Sequence, residues 1–175
     1  RFSAPHVRRL SRHTTRAMSA PTTRAVPAPM VSELYAPVPV LGRCALITGA
    51  SSGIGKATAE RLAELGCRLV VAARREERLE ELASDLRLRY GATVHCVVLD
   101  VTDTDAVLAL PKSLPKAFAD VSILVNNAGG ALGTAKVTEN DMNDVTTMLD
   151  ANIKGVVATT RAFSPGMVSR GEGTR

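Results

Sequence analysis

Eight residues constrain this chain more than any others: Thr48-Gly49-Ala50-Ser51-Ser52-Gly53-Ile54-Gly55, set between a short apolar run and a segment of helical period. Glycines in such a turn let the backbone reverse sharply, admit a diphosphate without Cβ atoms in the way, and let strand and helix pack closely. The free N–H groups and positive dipole end of the helix then hold phosphate oxygens. The phosphate loop of the P-loop NTPases needs G-x-x-x-x-G-K-[ST]. Before Gly55-Lys56 the required first glycine is Ala50, and Ala57 stands where the metal-binding hydroxyl belongs, so that alternative fails.

The rest of the chain repeats the same strand–turn–helix alternation. Apolar runs predict strands at Cys44–Thr48, Arg68–Ala72, Thr93–Leu99 and Ser122–Asn126. They are apolar on consecutive positions, as expected for parallel strands covered by helices on both faces. Between them, Ile54–Leu65 reads as a helix stopped by Gly66, and Glu76–Leu88 as an amphipathic helix presenting Leu79, Leu82 and Leu86. A shorter helix is expected at Asp103–Leu110, and a long one at Asp141–Ser169, kinked near Pro165. The fold class is α/β: a Rossmann-type doubly wound parallel sheet in which right-handed crossovers predict the order 3-2-1-4. The fourth strand would then be an apolar edge, Ile123-Leu124-Val125, and the sheet reads as incomplete.

The net charge of +5 suggests nucleic acid until it is mapped along the chain. Residues 1–40 hold six arginines and one acid, Glu33, whereas residues 41–175 hold sixteen basic and sixteen acidic side chains. With 3% aromatics, the domain lacks both a phosphate-binding stripe and a stacking platform, so no nucleic-acid partner is expected. Residues 1–39 are read as a basic, Pro/Ser/Thr-rich leader, and residues 40–175 as the folded domain. The leader's composition suits an organellar transit peptide, which would place the protein in a mitochondrion or plastid; Met18 or Met30 would each begin a shorter, cytoplasmic chain. Cys44, Cys67 and Cys96 are an odd set without a C-x-x-C pair, so we expect buried free thiols and no metal site. No apolar stretch reaches the roughly 18 residues that would cross a bilayer.

The glycine turn resembles the T-G-x-x-x-G-x-G turn of the short-chain dehydrogenases/reductases. Two further matches fall at strand ends: Asp100-Val101 after the third strand, and Asn126-Asn127-Ala128-Gly129 after the fourth. The resemblance spans about residues 41–173, and the stretches Asn127–Gly133, Met148–Gly155 and Thr160–Met167 look like the branch that oxidises 3-hydroxy acids and serine-like amino acids with NADP. It implies nucleotide contacts from Gly49, Ser51, Ser52, Gly53, Ile54 and Gly55, with Asp100 and Val101 at the adenine and Asn127, Ala128 and Gly129 along the cofactor. The charge at the end of the second strand bears on which nucleotide. NAD enzymes place a carboxylate there, and this chain has Ala73 followed by Arg74 and Arg75, which favours NADP through contact with a 2′-phosphate. Glu76 and Glu77 lie near the spacing of an NAD-type acid, but acids also belong in the first turn of a helix.

On the last long helix, Val145, Leu149, Val156 and Phe163 follow helical spacing, and Asn152 falls on that face. An amide there must find partners, and a core asparagine bonded to backbone is one reading. By resemblance it matches the family's catalytic asparagine. The family also needs a tyrosine, a lysine four residues later and a serine. Tyr35 is followed at that spacing by Pro39 and Tyr90 by Val94, so neither serves, and the chain as written is expected to be inactive. The resemblance implies an oxidoreductase acting on a small-molecule substrate, a homo-oligomer at full length. A non-catalytic NADP-binding or interaction protein on a half Rossmann fold is the alternative.

Overall fold

The computed structural model describes residues 39–133 and 135–172; residues 1–38 of the proposed leader lie outside them. Four parallel strands, β1 (Cys44–Thr48), β2 (Arg68–Ala73), β3 (Val94–Val98) and β4 (Val121–Val125), form one sheet in the order β3-β2-β1-β4. The expected order holds, and β4 is an edge. Helices α1 (Gly53–Glu64), α2 (Glu76–Tyr90), α3 (Thr104–Ser113), α4 (Met142–Leu149) and α5 (Gly155–Ser169) complete the chain.

Consecutive apolar residues in the strands serve two cores. Ala45, Ile47, Leu69 and Val71 pack with Ala59, Ala63, Leu79, Leu82 and Leu86 of α1 and α2. Their neighbours Cys44, Leu46, Val70 and Ala72 pack on the other face with Val107, Leu110, Ala158 and Phe163 of α3 and α5. Because side chains alternate along a strand, only a run without polar interruption can feed both layers. On α1 the buried residues are Gly55, Ala59 and Ala63, whose small size lets the helix lie close to the sheet. In α2, Glu76 and Glu77 occupy the first turn and Arg87 and Arg89 the last, matching the helix dipole at both ends.

At the amino edge of the sheet, Arg68 holds Asp120 by two hydrogen bonds, at 3.0 and 2.7 Å, which ties β2 to the entry of β4. These bonds hold the Asp120 carboxyl below its ordinary range. Arg43 donates to the Ser122 hydroxyl at 3.0 Å and to its carbonyl at 3.1 Å.

Two expectations for the last helix need correction. The single long helix expected at Asp141–Ser169 is interrupted by a π-helical turn at Asp150–Lys154 that separates α4 from α5, and α5 itself continues through Pro165. Pro165 and Arg161 are exposed, so the carbonyl left without its usual donor has access to water. The π turn also breaks the 3.6-residue phase. Val145, Leu149, Asn152, Val156 and Phe163 therefore do not form one buried face: Phe163 is buried, Leu149 is 54% exposed, and Asn152 is exposed.

Candidate functional site

A cleft of about 510 Å³ opens at the carboxyl ends of the strands, where the sheet order reverses direction between β1 and β4. Ligands of open α/β sheets bind at this position, because the loops there diverge to opposite sides. Of the residues singled out from the sequence, Gly49, Ser51, Ser52 and Ile54 line it from the glycine turn, and Arg74 and Arg75 from the end of β2. Asp100 and Val101 line it from β3, and Asn127, Ala128 and Gly129 from β4. Gly53, Gly55 and Asn152 do not line it.

Gly55 lies behind the turn. A Cβ there would collide with the Gly49 carbonyl oxygen, and one on Gly49 (φ 67°) would come within 2.9 Å of the Asn127 amide nitrogen and the Ala128 Cα. The two glycines thus let the loop, α1 and the β4 end approach closely. Gly53, with φ 56°, is the first residue of α1. The helix's N-cap, Ser52, makes no side-chain cap to its own helix. Its hydroxyl instead accepts a hydrogen bond from Arg75 at 2.9 Å, as does that of Ser51. The first amides of α1 therefore have no side-chain cap, and an anion can take that place.

The two arginines act differently. Arg75 folds over the serine pair, while Arg74 is 78% exposed and stands 3.8 Å from Asp100. Asp100 turns its other oxygen to the Thr102 N–H at 3.0 Å and the Thr102 hydroxyl at 2.8 Å. These bonds, led by the backbone N–H, pull the Asp100 carboxyl below its ordinary range, so it stays an anion beside Arg74.

Thr48 opens the glycine turn in the sequence, which assigned it no role, and it holds the site together. It is 2% exposed at the end of an otherwise apolar strand. Its Oγ1 accepts the N–H groups of Asn127 and Ala128, each at 3.0 Å, and donates to the Val125 carbonyl at 3.3 Å. Asn127 answers with its amide, donating to the carbonyls of Thr48 at 3.1 Å and Gly49 at 3.2 Å. The signal was a buried hydroxyl that had to find partners. Asn126 points the other way, accepting from the Thr159 hydroxyl at 2.6 Å and donating to that of Thr160 at 3.1 Å, which fixes β4 to α5.

Asn152 exchanges a pair of hydrogen bonds with Gly130: its Oδ1 accepts the Gly130 N–H at 3.0 Å and its amide donates to the Gly130 carbonyl at 2.8 Å. Its observed partners are thus backbone, and it orients the loop after β4. Tyr90 ends α2 at the opposite end of the sheet from the cleft, packed on the α1–α2 core; Tyr35 lies outside the described residues. Among the described residues no group of three or more potential metal ligands is brought together, and no helix is long and apolar enough to cross a membrane.

Comparison with known proteins agrees with this geometry. The NADP-dependent 3-hydroxy acid dehydrogenase of Schizosaccharomyces pombe is 45% identical over 133 residues, which is 75% of this chain and 51% of that protein. Sulfoacetaldehyde reductase 2 of Chromohalobacter salexigens is 48% identical over 128 residues, 73% of this chain and 50% of that protein. Among solved structures, serine dehydrogenase from Escherichia coli superposes with a TM-score of 0.67 at 38% identity, covering 74% of this chain and 58% of that one. The chain spans about half the length of the curated relatives it matches. The family model for short chain dehydrogenases matches residues 43–174, taking in the glycine turn, the β2 and β3 ends and the Asn127 loop. A cleft built from these parts, on this sheet and under this match, makes the chain a member of the short-chain dehydrogenase family.

Proposed function

We propose that the cleft binds NADP, and that the whole protein moves a hydride between this nucleotide and a hydroxyl or carbonyl group on a small anionic substrate. One observation carries the cofactor reading: Arg75, just after β2, spans the hydroxyls of Ser51 and Ser52 in the glycine turn, and Ala73 stands at the β2 tip in place of a carboxylate. The glycine turn fits a diphosphate: Gly49 and Gly55 let the turn lie close against Asn127, and the first amides of α1 carry no side-chain cap. Gly49, Ser51, Ser52 and Ile54, with the amides at the start of α1, would hold the diphosphate; Arg74, Asp100 and Val101 would flank the adenosine. NADP would supply or accept the hydride.

The substrate class rests on the relatives. Their names describe a 3-hydroxy acid, sulfoacetaldehyde and serine, each pairing a hydroxyl or carbonyl with an acidic group on a small skeleton. For acid–base chemistry the sequence contains no tyrosine followed four residues later by lysine, so these 175 residues alone are expected not to turn substrate over. Asn152 is read as serving the reaction by fixing the Gly130 loop. A homo-oligomer of the whole protein is supported by Val157 and Val168, which lie on one side of α5 and are 61% and 76% exposed.

The test is a titration of the protein with NADP and NAD. Arg75→Ala should weaken NADP about tenfold to a hundredfold while sparing NAD, the cost of one charge-assisted contact. Arg74→Ala should cost less. An unchanged NADP/NAD ratio in both variants would remove the cofactor argument, and a protein that binds neither nucleotide would remove the functional reading.

A further inference from the structure

Beyond Gly129 the chain leaving β4 is fastened to the α4–π turn region at two points. Asn152 is one. The other is Met148, whose Sδ accepts the Leu132 N–H at 3.2 Å. Gly130, Leu132 and Met148 all line the cleft, on the β4 side, whereas Arg74 and Arg75 line it from the β2 end. The sheet order puts the glycine turn of β1 between them. A dinucleotide with its adenosine at the arginines and its diphosphate at the glycine turn would then have its nicotinamide riboside on the β4 side, where Gly130 and Leu132 line the cleft.

A thioether is a weak acceptor, and Leu132 is 45% exposed, so water competes for its N–H. Methionine suits the place because its unbranched, adaptable side chain can follow the loop and still offer a lone pair. Met148 is itself half-buried against the cleft. We propose that Met148 is a positioning residue: its sulfur holds residues 130–133 in the conformation that receives the nicotinamide half of the cofactor. This inference rests on the nucleotide reading above. Together Met148 and Asn152 pin the loop one helical turn apart, so that binding pays little to order it.

The experiment compares two ligands, NADP and adenosine 2′,5′-bisphosphate, which lacks the nicotinamide half. Both are titrated into the wild-type protein, Met148→Leu and Met148→Gln. Leucine removes the acceptor and keeps the bulk; glutamine restores an acceptor on a side chain of similar reach. Met148→Leu is expected to weaken NADP about threefold to tenfold, in line with one lost hydrogen bond. The bisphosphate should bind as before, and Met148→Gln should recover NADP binding. Equal losses for both ligands, unaltered NADP binding, or failure of glutamine to recover it would overturn the proposal. A wild-type protein that takes neither ligand overturns the nucleotide reading as well, a pattern distinct from the other three. Should the leucine variant not fold, amide exchange in the wild-type protein decides. Slower exchange at Leu132 than at Ala131 supports the contact, and equal rates overturn it.

Discussion

Replacing Thr48 by valine exchanges a hydroxyl for a methyl at nearly constant volume, in a position that is 2% exposed. Three hydrogen bonds disappear: two in which Oγ1 accepts the N–H groups of Asn127 and Ala128 at 3.0 Å, and one that it donates to Val125 at 3.3 Å. A buried donor left without a partner costs roughly 1–3 kcal/mol. Asn127 and Ala128 are only half-buried, so water reaches part of the space and the low end applies to each. The sum is about 2–4 kcal/mol, a large share of the roughly 5–15 kcal/mol that holds a domain folded. Thr48→Ser keeps the hydroxyl and gives up one buried methyl, for about 1 kcal/mol. Urea unfolding followed by circular dichroism measures both, read from the midpoint provided the slope is constant. The valine variant should lose at least twice as much as the serine variant. If it instead lies within about 0.5 kcal/mol of the wild type, inside the usual scatter of neutral substitutions, the hydroxyl does not join β1 to the β4 loop.

Acid should weaken the fold through two carboxylates. Asp120, held down by the Arg68 hydrogen bonds, and Asp100, held down chiefly by the Thr102 N–H, both have folded values below the ordinary 3.8. Their contribution is complete above that value and fades as pH falls through the depressed folded values. In Arg68→Ala the urea midpoint should accordingly drop less between about pH 6 and pH 2 than in the wild type, and an equal drop would refute the Asp120 part. Burial pushes the thiols of Cys44 and Cys96 up to about 11 and about 12. Both should resist thiol reagents near pH 8 until the protein is unfolded, and rapid labelling of Cys44 in the folded protein would contradict the packing described.

The sheet was legible because its strands obey one simple demand. Cys44–Thr48 and Arg68–Ala73 must supply both cores at once, so they read as unbroken apolar runs, and their bounds and order follow. The turn at Gly49–Gly55 was legible for a similar reason, since close approach of backbone to backbone leaves glycine little competition. Local sequence could not show which arginine folds over the serines. Arg74 and Arg75 are neighbours of the same charge, and the direction of each is set where β2 ends and α2 begins. Nor could periodicity reveal the π turn, because the apolar spacing on either side of Asp150–Lys154 also suits a regular helix and no proline marks the shift. Reading Asn152 on a 3.6-residue stripe assumed a regular helix across this π turn. The linking role of Thr48 was hidden for the opposite reason: a threonine is unremarkable in a strand, and its three partners lie 77 to 80 residues away.

The wide turn at Asp150–Lys154 also sets a rule about length. Bonds that run from residue i to i+5 take up about one residue more than an ordinary helical turn. Excising a single codon there is expected to let the ladder close as a regular helix ahead of the buried Ala158 and Phe163, and to turn the Asn152 amide away from Gly130. Deletion scanning across this turn should then separate what keeps the protein standing from what keeps it working.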